Sequence, residues 1–255
     1  MYMTSSISAT WLLAEKEAHV WLVPVSQSET IWAERLGMCS QQERGLILSM
    51  NPSARRQRAI AWGVRREILA SYLNCRPESL DFATGEHGKP RVAGAMYPEI
   101  DFNLSYSEHS ILFGLARGCR IGVDVEASIE INFDEVVRTF LSAREITEWE
   151  RLASTPERKT AFYQAWTRKE AYLKACGVGL LRSPTSLEVS FCTGSSPAIV
   201  SCARDPEASA RWKVVEICIE PATIGSVVVE SSVVEIKVHN YGSKKAGSTR
   251  LDAPC

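Results

Sequence analysis

Apolar positions recur along this chain with two periods, and the places where the period changes mark out the elements. Residues 54–73 put Ile60, Val64, Ile68, Leu69 and Tyr72 at helical spacing, with Arg55, Arg56, Arg58, Arg65 and Arg66 on the other face. Asn51 or Ser53 supplies the N-cap. A second long helix is predicted over 157–175, stopped by Gly177 and Gly179, and a short one over 41–50. Asn132 and Ser142 each precede a glutamate by three residues, Glu135 and Glu145, the capping-box pattern of a helix start. Strand patterns cover 18–25, 101–106, 110–116 and 120–126, and in the C-terminal third 187–191, 212–220 and 226–238. Glycines and proline make 85–90 an irregular loop. Strands mixed with segregated helices predict an α+β fold. No internal repeat is evident, and the Gly-, Ser-, Lys- and Ala-rich stretch 241–255 is expected to be disordered.

Composition narrows the class without naming it. The chain has 255 residues, 45% hydrophobic and 23% charged, enough for one large domain or two small ones. A net charge of -1 provides no global field to recruit nucleic acid or an anionic membrane. The 8 cysteines form no CxxC and flank no histidine at zinc-ligand spacing. They read as reduced thiols used as small hydrophobes, which fits a cytoplasmic protein. Residues 10–14 are too short for a signal-peptide core, and no apolar run is long enough to span a membrane.

Candidate chemistry sits in two segments. Along 121–126, Ile121, Val123 and Val125 point one way, and Gly122, Asp124 and Glu126 the other. Two carboxylates on one strand face repel unless a cation lies between them, and a hard cation such as magnesium suits them. Gly122 is expected to leave room for a ligand beside the pair. A solvated strand face would show the same pattern. On the second long helix Glu170 and Lys174 share a face, one turn after Trp166. A surface ion pair beside a core tryptophan explains that spacing. In the chemical reading, Glu170 is a third oxygen ligand or a base, and Lys174 grips a phosphate oxygen.

Taken together, Gly122-Val123-Asp124 and Trp166-Thr167-Arg168-Lys169-Glu170-Ala171-Tyr172-Leu173-Lys174 resemble the two-part signature of the 4′-phosphopantetheinyl transferases of the surfactin-synthetase-activating type. The second segment looks like their Trp and Lys-Glu-Ala subgroup. Gly88-Lys89-Pro90 and Phe102-Asn103-Leu104-Ser105 extend the resemblance upstream.

The resemblance implies two similar α+β lobes in a pseudo-twofold arrangement. Residues 1–117 would form the N-terminal lobe and 118–240 the C-terminal lobe with the metal site, with coenzyme A bound in the cleft. It implies attack by a serine hydroxyl of an apo acyl or peptidyl carrier protein on the β-phosphate of coenzyme A. The 4′-phosphopantetheine arm moves to the serine and 3′,5′-ADP leaves. Asp124, Glu126 and Glu170 would hold Mg2+. Glu170, or a water it orients, would take the serine proton, and Lys174 would neutralise the pyrophosphate. Lys89 would approach the adenosine 3′-phosphate or the adenine, Ser105 would donate to that phosphate, and Arg58 is the arginine best placed to join them.

One position departs from the family: Tyr106 stands where the family has histidine. Tyrosine donates a hydrogen bond but carries no charge, so a reduced preference for coenzyme A over its 3′-dephospho form is expected. His109 reads as an exposed turn residue. Arg138 and Arg144 are candidates for docking an acidic carrier, and a monomer suffices. Two other readings compete: a magnesium-dependent pyrophosphate hydrolase, and a non-catalytic module that binds carrier protein or coenzyme A.

Overall fold

Two helices of 22 residues each organise the chain, because each has a start, a stop and a buried face. The computed structural model describes residues 11–25, 29–85, 88–94, 100–177, 183–191, 195–219, 223–241 and 249–250. In chain order the elements are β1 (Glu17–Pro24), α1 (Glu29–Gly37), α2 (Gln41–Leu48), α3 (Pro52–Leu73), β2 (Phe82–Thr84), β3 (Pro90–Val92), β4 (Ile100–Tyr106), β5 (Ser110–Arg117) and β6 (Ile121–Ala127). Then come α4 (Phe133–Phe140), α5 (Ala143–Glu150), α6 (Thr155–Cys176), β7 (Leu187–Val189), β8 (Ile199–Cys202), α7 (Ala208–Arg211), β9 (Trp212–Ile219), β10 (Thr223–Glu230), β11 (Glu235–Asn240) and β12 (Thr249–Arg250). Helix α3 starts where the Asn51 side chain accepts from Ala54 N at 3.0 Å and stops at Asn74 in the left-handed region. Helix α6 starts at a Ser154–Glu157 capping box and stops at Gly177, φ 70°.

Each helix covers the outer face of one sheet. In the first sheet, ordered β12-β11-β1-β5-β4, Trp21, Val23, Phe102, Phe113 and Leu115 pack against Ile60, Val64 and Ile68 of α3. Helix α6 lies on the second sheet, β6-β10-β9. The inner faces meet: Val20, Leu112 and Ala116 pack on Ile121, Val123, Val125, Val227 and Val229. The fold is α+β, in two lobes of similar plan.

The lobes join along edge strands β4 and β6 through side chains. Asp101 accepts from Ile121 N at 2.9 Å, Asn103 from Val123 N at 2.9 Å, and Ser105 donates to the Asp124 carboxylate at 2.8 Å. Alternate residues of β4 thus serve successive positions of β6. Behind the seam, Gly122 admits α6. A Cβ on Gly122 would lie 2.0 Å from Ala171 O and 2.4 Å from Ala175 N. The room expected there for a ligand is filled by helix backbone, which needs the missing side chain to come this close.

Several expectations need correcting. The strand predicted over 226–238 is two strands in different sheets. Ser231 turns the chain by donating to Arg211 O and Ala210 O, both at 2.7 Å, and Val234 N then bonds Lys16 O at 2.9 Å. Strand β11, assigned above to the C-terminal lobe, therefore pairs parallel with β1 in the first sheet. In the stretch expected to be disordered, Tyr241 hydrogen-bonds Glu67 and Arg35, and Thr249–Arg250 pairs with β11. Asn132 forms no side-chain cap. Arg65 and Arg66 are not a solvated face: both are buried on Glu43, and Arg66 also donates to Pro77 O and Leu80 O at 2.7 and 2.8 Å. Among the described cysteines all are free thiols.

The β1–β11 pairing buries two histidines. His239 is 4% exposed and stacks on Trp21 at 4.8 Å, with Trp11 and His19 each at 4.7 Å. His19 hydrogen-bonds the Tyr72 hydroxyl at 2.5 Å and meets Glu17 at 3.2 Å. Burial lowers both histidines, His239 to about 4, with Lys237 adding to the effect and Glu17 opposing it.

Gly122→Ala is expected to lose about 3 kcal/mol in urea denaturation, since α6 must move off the sheet. Because the native state keeps His239 neutral while the unfolded chain titrates near 6.5, its contribution is present above that pH. It is lost as pH falls toward 4, amounting to about 3 kcal/mol. His239→Phe should flatten that part of a stability–pH curve measured by denaturant melts.

Candidate active site

Strand alternation puts Asp124 and Glu126 on the face of β6 that looks toward α6, and the α6 spacing turns Trp166, Glu170 and Lys174 to meet them. Together with Leu104, Ser105 and Tyr106 from β4 they line a cavity of about 420 Å³. Behind it, Ser226, opposite Asp124 in the β10–β6 register, hydrogen-bonds the Thr167 hydroxyl at 2.8 Å and ties α6 to the sheet.

Asp124 is 3% exposed. Its Oδ1 accepts from Lys174 Nζ at 2.6 Å and from Ser105 Oγ at 2.8 Å, and Lys174 Nζ also donates to Ser105 Oγ at 3.0 Å. Its Oδ2 is buried without a hydrogen-bond partner. Burial pushes Glu126 up to about 7. The Asp124 charge adds to this, while Lys174 and a hydrogen bond from Trp166 oppose it. Glu170 is raised for the same leading reasons, burial and then Asp124. The site is short of positive charge. Lys174, in the last turn of α6, pairs across the cleft with Asp124 rather than along the helix with Glu170.

Among the described residues no three acidic, histidine or cysteine side chains converge closely enough to share one ion. Asp124, Glu126 and Glu170 nevertheless have the donor chemistry a hard divalent cation takes, without being drawn together around one point. All three supply oxygen, they line one cavity, and Asp124 keeps a buried oxygen unpaired.

The remaining expected residues divide. Ser105 and Tyr106 line the cavity. The Arg58 guanidinium stands 5.7 Å from the Tyr106 ring and 5.2 Å from that of Trp62, and its Nε is buried without a partner. Lys89 is placed elsewhere: its ammonium donates to Asp101 at 2.5 Å and Ile121 O at 2.8 Å, fixing the start of β6 outside the cavity wall. His109 is exposed beside Glu108. Arg138 is exposed, and Arg144 pairs with Glu148 at 3.1 Å. Sequence reasoning missed Trp166 as a wall of the site. Its ring stacks on Phe140 at 4.2 Å and 7°, and the signal was its position four residues before Glu170. Lys169, its neighbour in the motif, is wholly buried, bonded to Glu145 at 2.5 Å, Pro184 O at 2.9 Å and Phe140 O at 3.0 Å.

Comparison with known proteins identifies the family. A family model described as the 4′-phosphopantetheinyl transferase superfamily matches residues 120–227, the span holding β6 and α6. The 4′-phosphopantetheinyl transferase HetI of Nostoc sp. is 28% identical over 86% of this chain and 93% of its own length. The 4′-phosphopantetheinyl transferase AcpT of Salmonella typhimurium is 31% identical over 58% of this chain and 79% of its own. A holo-[acyl-carrier-protein] synthase of Thermotoga maritima superposes with a TM-score of 0.34 at 18% identity, over 44% of this chain and 62% of that one. This chain therefore belongs to the 4′-phosphopantetheinyl transferase superfamily, enzymes that move a phosphopantetheine group onto carrier proteins. Family membership favours neither the hydrolase nor the non-catalytic reading.

Asp124→Ala is expected to leave the far-ultraviolet circular dichroism unchanged, because the charged partner it abandons, Lys174, reaches solvent, and Ser105 keeps its bond from Lys174. Its transferase activity should fall below detection. A collapsed spectrum would make Asp124 a folding residue.

Proposed function

We propose that this chain transfers the 4′-phosphopantetheine arm of coenzyme A to a serine of an apo acyl or peptidyl carrier protein, as a cytoplasmic monomer, with 3′,5′-ADP as the second product. Asp124, Glu126 and Glu170 would hold a divalent cation, magnesium by default. The observation that carries this reading is the buried, unpartnered Asp124 oxygen beside two carboxylates of raised proton affinity.

In the reaction the serine oxygen forms a bond to the β-phosphorus, and the bond from that phosphorus to the bridging oxygen of the α-phosphate breaks. The chemistry a cation supplies at this position is neutralisation of the diphosphate oxygens, before and as the leaving charge develops. Glu170 accepts the serine proton. A water that Glu170 orients can take the proton in its place. Lys174 sits within reach of the same cavity and gives its ammonium to the diphosphate. Ser105 offers a hydroxyl at the β4 edge. Leu104 and Trp166 add apolar surface to the cavity wall. Tyr106, with Arg58 over its ring, takes the adenosine end. With an uncharged Tyr106 and with Lys89 held by Asp101, Arg58 alone of these three brings a free charge to that end, which weakens discrimination by the 3′-phosphate.

The test is intact-mass spectrometry of apo carrier proteins incubated with the protein, coenzyme A and magnesium. A gain of one phosphopantetheine arm, abolished by EDTA, is expected. Glu170→Gln should lower the rate by roughly 10²- to 10⁴-fold. Equal rates from coenzyme A and 3′-dephospho-coenzyme A are expected in the same assay. No gain on any carrier overturns the reading.

A further inference from the structure

Three carboxylates line the cavity, and the lysine among them is committed to one. The Lys174 ammonium rests on Asp124 Oδ1 and Ser105 Oγ, at 2.6 and 3.0 Å. It lowers the proton affinity of Glu126 and Glu170 without cancelling the rise caused by burial and Asp124. A cation approaching Asp124 Oδ2 meets this positive charge on the same carboxylate. An anion entering the cavity meets a lysine that is partly solvent-exposed, on a side chain long enough to turn toward it. Ser105 stays behind in either case, donating to Oδ1 at 2.8 Å and leaving Oδ2 free.

We infer that Lys174 is an internal counter-ion that blocks cation binding at Asp124 until a diphosphate draws it away, so that cation and diphosphate bind interdependently. This rests on the cation site and donor proposed above. In the free protein, Lys174 supplies the charge that Asp124 needs, and the cation must compete with it. When a diphosphate takes the ammonium, Asp124 is released to the cation. The two ligands then strengthen each other by the same factor, as linkage requires. The lysine serves both ligands in turn, and the exchange keeps the buried aspartate neutralised throughout.

The experiment is calorimetric titration of the full chain with Mn2+ alone and with coenzyme A, each with and without the other ligand, for the unmodified protein, Lys174→Met and Lys174→Arg. Unmodified protein should bind Mn2+ alone weakly, and at least tenfold more tightly once coenzyme A is present. Lys174→Met should bind Mn2+ alone at least tenfold more tightly than the unmodified protein, bind coenzyme A more weakly, and show a smaller mutual enhancement, the remainder being the direct attraction between cation and diphosphate. Lys174→Arg keeps the charge and should retain weak Mn2+ binding. Opposite changes in the two affinities cannot come from a misfolded variant, which would lose both. Mn2+ binding to Lys174→Met no tighter than to the unmodified protein overturns the inference while leaving the cation site intact. Failure of the unmodified protein to bind Mn2+ even with coenzyme A present would instead overturn the cation site and, with it, this inference.

Discussion

The architecture depends on how one strand edge satisfies another without pairing to it. Strand β6 stands at the edge of its sheet, and its Ile121 and Val123 amides would be costly to leave without acceptors. The side chains of Asp101 and Asn103 accept from them. Polar side chains in place of a backbone ladder hold the two sheets together while keeping them separate. The next residue of the same series, Ser105, reaches a carboxylate instead of an amide. The seam therefore opens into the active site at its third position. The spacing that joins the lobes also sets where the acidic residue faces a cavity.

Helix α6 fixes the other wall, and its residues split between packing and chemistry by direction alone. The missing side chain at Gly122 lets the helix backbone approach β6 so closely that Glu170 and Lys174 face Asp124 across a narrow gap. Lys169 points the other way. Its buried ammonium joins the end of α4, the cap of α5 and the segment before β7. A buried ion pair of this kind is rarely stabilising in itself. With Glu145 and two carbonyls around it, Lys169 ties these segments to α6. Phe140, one of the residues it holds, carries the Trp166 ring that walls the cavity.

Much of this was legible in the sequence where a local rule coincides with the tertiary one. The period-two pattern of Ile121, Val123 and Val125 against Asp124 and Glu126 holds in the structure, because the inner and outer faces of β6 meet different partners. The helical spacing of α3 and α6 holds for the same reason. What was not legible depends on distant partners. Nothing local shows that Lys174 prefers Asp124 over Glu170, or that Lys89 is held by Asp101. The short elements α1, β2, β3, β8 and α7 carry too few periods to register. The apolar pattern of 226–238 runs through the Ser231 turn, because both strands bury valines on the same inter-sheet core, Val227 and Val229 from one and Val238 from the other. Arg65 and Arg66 look like solvent-facing positions on their helix, and Glu43 on a neighbouring helix is what buries them.

The parallel pairing of β11 with β1 has a consequence for the order of events during synthesis. The first sheet takes its fourth strand, counted from β4, from residues 235–240, late in the chain. While the ribosome is still making the second lobe, β1 has β5 on one side and nothing from β11 on the other. Its Glu17, His19 and Trp21 face is short of the residues that later cover it. An open strand edge beside an uncovered aromatic cluster is a surface on which nascent chains associate wrongly. The N-terminal lobe is thus the first to be translated and among the last to be completed.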